Sequence, residues 1–91
     1  MMSDKRQYDR IATRQSARLS EGGQTLECTL LNISLGGAAL AVTVQPVIGA
    51  RVTLMINDLP AIDAEVVRHI DNGIALHFDA DEELAARLKA F

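Results

Sequence analysis

Ile62-Asp63-Ala64-Glu65-Val66-Val67-Arg68-His69-Ile70-Asp71-Asn72-Gly73-Ile74-Ala75-Leu76-His77-Phe78 is the stretch that decides the fold class. Ile62, Ala64 and Val66 recur at every second position, the period of a strand with one face on a core. Asp71-Asn72-Gly73 then gives a hairpin signal, because Asn and Gly tolerate the positive φ that tight β-turns need. Ile74, Leu76 and Phe78 resume the alternation. The spacing predicts two antiparallel strands joined by a tight turn.

The same pattern continues outward. Arg51–Ile56 places Val52, Leu54 and Ile56 inward and Arg51, Thr53 and Met55 outward, and Asn57-Asp58-Leu59-Pro60 is a turn. Pro46 and Gly49 mark Gln45–Ala50 as a loop. Ala38–Val44 is a strand, set off by Leu35-Gly36-Gly37 from another over Thr25–Ile33, where Leu26, Cys28 and Leu30 alternate. Glu21-Gly22-Gly23-Gln24 is a turn, and Ala12–Ser20 the first strand. Beyond Phe78 the period changes: Leu84, Leu88 and Phe91 fall on one helical stripe. Asp79 or Asp81 is the candidate cap, with Glu82 and Glu83 in the first turn and Arg87 and Lys89 in the last, the signs a helix dipole favours. The expectation is an all-β chain: six short antiparallel strands over 12–78 closed into a small barrel that leaves no edge exposed, followed by a helix over 79–91.

The 91 residues make one domain, 48% hydrophobic but only 3% aromatic, so the core must be aliphatic, with Phe78 and Phe91 as its large pieces. Cys28 is the only cysteine, which rules out an intrachain disulfide and a thiolate zinc site and reads as a core thiol. His69 and His77 lack the spacing of a metal site. Asp63 and Glu65 share a solvated strand face, and Ser34 has no evident His partner for nucleophilic work. No enzyme, metal or cofactor is expected. The polar N-terminus is not a signal peptide, and no run approaches the ~18 apolar residues of a membrane span. The expectation is a cytoplasmic protein without membrane insertion.

Net charge is −3, which argues against general DNA or RNA binding. Charge is unevenly placed: residues 1–18 hold five basic and two acidic side chains, net +3, while 19–91 hold four basic and ten acidic, net −6. A basic arm on an acidic body suits a small anionic ligand. Residues 1–11 lack an apolar stripe and read as a flexible arm. Arg6-x-x-x-Arg10 on that arm supplies two planar guanidiniums, which pair with phosphate oxygens or with guanine O6 and N7. Tyr8 between them reads either as a ring to stack on a base or, more simply, as an exposed tyrosine on a tail, and Lys5 precedes them.

Asn32-x-Ser34-x-x-Gly37 follows at the end of a strand. Asn32 and Ser34, two apart, are expected on one face with Ile33 in the core. An amide and a hydroxyl there would meet the polar edge of a base. Gly36 and Gly37 allow positive φ and close backbone approach.

Together the two motifs, the strand order and the terminal helix resemble the PilZ domain, a bacterial receptor for cyclic di-GMP, over nearly the whole chain. The resemblance implies a split-barrel-like fold. It implies that Arg6 and Arg10 bind phosphates and guanine edges, that Asn32 and Ser34 contact a guanine from the barrel surface, and that Gly37 shapes the turn beside Gly36. Lys5 stands where relatives influence whether one ligand or a stacked pair binds. Many relatives carry Asp at the Asn32 position; Asn accepts more weakly, which bears on affinity rather than ligand identity. The implied function is a cyclic di-GMP receptor, monomeric or weakly dimeric. Ligand would order its arm against the barrel and alter a surface for an unidentified downstream protein. The alternative is a PilZ-like adaptor that binds no nucleotide.

Overall fold

The computed structural model describes residues 11–57 and 59–89. Six strands and one helix follow in order: β1 Ile11–Glu21, β2 Gln24–Ile33, β3 Gly37–Ala41, β4 Arg51–Ile56, β5 Ile62–Ile70, β6 Gly73–His77 and α1 Glu82–Lys89. All neighbouring strands are antiparallel, and the sheet closes as a barrel in the order β1-β2-β3-β6-β5-β4. Closure pairs β1 with β4, so both faces of the expected alternation are used: one inside a sealed barrel, one on its outer wall.

The interior is aliphatic, as the composition requires. Leu19, Leu30, Ile33, Leu40, Leu54, Val66 and Ile74 are completely buried and come from all six strands. Phe78, Leu84 and Leu88 join that cluster, so the helix packs one apolar stripe onto the barrel. Asp81, not Asp79, caps the helix: its carboxylate accepts from the Leu84 N–H at 2.8 Å. Phe91, the expected end of the stripe, lies outside the described residues. No helix among the described residues is long and apolar enough to cross a membrane.

Several limits differ from the periodicity: Ile11, expected in the arm, opens β1; β1 and β2 take up Glu21 and Gln24 of the expected turn; and Gly37 opens β3. Two further differences have a clear cause. β3 ends at Ala41 rather than Val44, because the Val42 N–H turns to the Asn72 carbonyl at 3.0 Å and the chain leaves the β2–β3 ladder. The tight β5–β6 turn consists of Asp71 and Asn72, with Ile70 paired to Gly73 and Asn72 at φ 58°. Gly73 is therefore a strand residue. It is glycine because a Cβ there would strike the Leu40 carbonyl of β3.

Candidate functional site

One register row crosses the outer wall at the end of β2. Ala12 pairs with Asn32, Asn32 with Ala39, Ala39 with Ala75 and Ala75 with Arg68. The flanking Ile33, Ala38, Leu40, Ile74 and Leu76 are buried, so Asn32, Ala39 and Ala75 point outward. Ladder irregularities lie beside this row on three strands. The register shifts between Ala12 and Gln15 in β1, between Leu30 and Asn32 in β2, and between Val66 and Arg68 in β5. Bulges of this kind bend a strand and re-aim its side chains.

Of the motif residues, Asn32 is half-buried in the row itself. Ser34 behaves differently from Asn32. It lies beyond the end of β2, where strand alternation no longer applies, and is only 6% exposed. Its N–H donates to the Gly37 carbonyl at 2.8 Å, and its hydroxyl donates to the same oxygen at a longer 3.4 Å. The Gly36 N–H in turn donates to Ser34 Oγ at 3.3 Å. Ser34 thus ties the β2–β3 turn, and the Gly36 carbonyl fixes that turn to the end of β6 by accepting from the Phe78 N–H at 3.2 Å.

Gly37 opens β3 opposite His77. Positive φ among the described residues is confined to Gly22, Gly23, Gly49 and Asn72, so Gly37 is not needed for a left-handed conformation. It is needed for close approach: a Cβ would collide with the Leu76 carbonyl. Lys5, Arg6 and Arg10 lie outside the described residues. Their tether is described: Ile11, the residue after Arg10, pairs with Ile33 between Asn32 and Ser34.

The charges around the row are distributed unevenly. Arg18 pairs with Glu27 at 3.7 Å, Arg51 with Glu65 at 3.9 Å and Arg87 with Glu83 at 4.0 Å. Arg14, in the β1 bulge, and Arg68, beside the β5 bulge, are exposed and form no ion pair among the described residues. A cavity of about 800 Å³ lies farther along the outer wall beside Ser16, Thr29 and Ala41, where Glu27 makes it less suited to an anion.

Sequence reasoning located the loop between β3 and β4 but missed what holds it, and it missed the row that joins Asn32 through Ala39 and Ala75 to Arg68. That loop is held by Gln45, whose amide donates to the carbonyls of Ile70 at 3.0 Å and Gly73 at 2.6 Å, and by a 2.6 Å contact between His69 Nε2 and the Pro46 carbonyl. Its side chains Val44, Val47 and Ile48 are largely exposed, as is Val67 in the β5 bulge. Registers between distant strands generate all of these arrangements, and no local spacing reports them. Among the described residues no cluster of His, Cys, Asp and Glu suits a metal ion. Cys28 is buried, and desolvation, with the Glu27 charge beside it, pushes its thiol up from 9.0 to about 11.

The family profile of the PilZ domain matches residues 4–91. Among solved structures, an uncharacterized Legionella protein is similar, with a TM-score of 0.63 and 25% identity, covering 91% of this chain and 92% of that one. No curated protein matches.

Proposed function

The chain belongs to the PilZ domain family, whose domains generally bind cyclic di-GMP, and on that footing we propose that it is a cyclic di-GMP receptor. Arg6 and Arg10 supply guanidinium donors to the phosphates and guanine edges, Asn32 supplies an amide from the barrel wall, and Lys5 adds a balancing cation. Ser34, Gly36 and Gly37 hold the turn that presents Asn32.

The observation that carries this reading is the pairing of Ile11 with Ile33 and of Ala12 with Asn32. It anchors the residue bonded to Arg10 beside the Asn-x-Ser-x-x-Gly turn, which supports reading the two motifs as parts of one site. The ligand bridges arm and barrel, and the energy it gains only in the bridged state drives the change. PilZ domains are binding and adaptor domains, so the readout is a changed surface for a downstream protein, within the cytoplasm.

Calorimetric titration with cyclic di-GMP, beside GTP and a short single-stranded oligonucleotide, tests the reading. Saturable heat with cyclic di-GMP alone is expected, weakened about 10- to 150-fold by Arg6→Ala or Arg10→Ala, the scale of a lost charge-assisted contact. No heat up to about millimolar ligand, where binding energy falls to roughly 4 kcal/mol, refutes it. The second reading, an adaptor without nucleotide, is favoured by the exposed Val44, Val47 and Ile48 on a pinned loop. It takes over on that outcome.

A further inference from the structure

We propose that Arg68 is a further ligand-binding residue that sets base specificity, closing the far end of the floor that begins at Asn32. This rests on the nucleotide reading above and adds to it a residue from β5, a strand that carries neither motif.

The two residues stand at opposite ends of one row, Asn32 on β2 and Arg68 on β5, with only Ala39 and Ala75 between them. Three inter-strand steps of ~4.8 Å along the row bound the separation of their backbones at about 14 Å, and the curvature of the closed barrel shortens it. Within the row only the methyl groups of Ala39 and Ala75 stand between them, which leaves a low stretch of wall for a planar ring. The gap accommodates one purine within the combined reach of an asparagine and an arginine.

Arg68 suits the far end of such a ring. The β5 bulge puts an extra residue, Val67, between Val66 and Arg68, so Arg68 pairs outward beside Ala75. It is exposed and has no acidic partner among the described residues, whereas Arg51, on the adjacent strand β4, is held by Glu65. A guanidinium is unchangingly cationic and presents two parallel donors, the complement of guanine O6 and N7. Adenine offers N7 but a donor in place of O6, so the same fork penalises it. Asn32 meets one edge of the base and Arg68 the opposite edge.

The test compares cyclic di-GMP and cyclic di-AMP by calorimetry on the full chain and on four variants, with circular dichroism confirming that each is folded. Arg68→Ala is expected to weaken cyclic di-GMP at least about tenfold and to narrow its preference over cyclic di-AMP, since a bidentate base contact contributes discrimination of that order. Arg68→Lys keeps the charge but not the fork and should not restore the preference. Ala75→Leu fills the floor and should weaken both ligands. Arg87→Gln removes one positive charge on the helix and should change neither. Affinity and preference in Arg68→Ala within about twofold of the intact chain would overturn the assignment while leaving the receptor reading in place. So would an equal loss in Arg87→Gln, which would make the effect one of net charge. Absence of binding by the intact chain removes both.

Discussion

Gly37 lies so close to the carbonyl of Leu76 that a single added methyl would occupy the same space. The contact joins the turn that carries Ser34 to β6, the strand that carries Ala75. The last residue of the Asn-x-Ser-x-x-Gly motif therefore acts on the site through the backbone.

Gly37→Ala should destabilise the barrel by about 1–3 kcal/mol, the range for overpacking a close-packed interior. Gly73→Ala should do the same, because its Cβ would meet the Leu40 carbonyl at the other end of the same β3–β6 seam. Urea unfolding followed by circular dichroism measures both. Wild-type midpoints would show that the strands can separate without cost.

Ser34→Ala should lower stability by about 0.5–1.5 kcal/mol, since the hydroxyl is buried and bonded within the turn. Asn32→Ala should affect ligand affinity more than stability, because Asn32 lies on the outer wall. A double measurement, unfolding free energy against calorimetric affinity, separates the two. Equal profiles would remove the distinction drawn between them.

Asp81→Ala should destabilise the protein by about 0.5–2 kcal/mol, as the Leu84 N–H loses its cap. Asp79→Ala should have little effect, because Asp79 is exposed and its only contact among the described residues is a 3.7 Å approach to His77. Matched thermal melts compare them.

Cys28 should react slowly with a thiol reagent at pH 8 in the native state and rapidly in urea, because burial hides it and disfavours its thiolate. The raised pKa also couples to stability. The folded state holds the proton more tightly than the unfolded chain, so the contribution is intact below pH 9 and is lost as pH rises through about 11. Cys28→Ala should flatten that alkaline limb in a pH series of unfolding midpoints.

Alternation alone located Arg51–Ile56 and Ile62–Ile70 with their observed limits, and the inward set Val52, Leu54, Ile62, Ala64 and Val66 is buried as expected. These assignments succeed because a period of two is a local property that a half-buried strand imposes on its own residues. The motif at Asn32 was legible for the same reason up to Ile33, and no further. At Ser34 the strand has ended, so its hydroxyl faces the turn. The β3 boundary and the placement of Gly73 were not legible, because both answer to a neighbouring strand far away in the chain.

The sequence by itself determined the strand count, the aliphatic core, the helix with its acidic start, and the two polar motifs. Each is written in residue type and local spacing. Only the tertiary structure decided that Gly37 and Gly73 are demanded by carbonyls of other strands. It also decided that Ile11 enters the sheet beside Ile33, and that Asn32, Ala39, Ala75 and Arg68 form one row. Those relations come from barrel closure and from bulges that shift register, and register is a property of pairs of strands that neither strand carries alone.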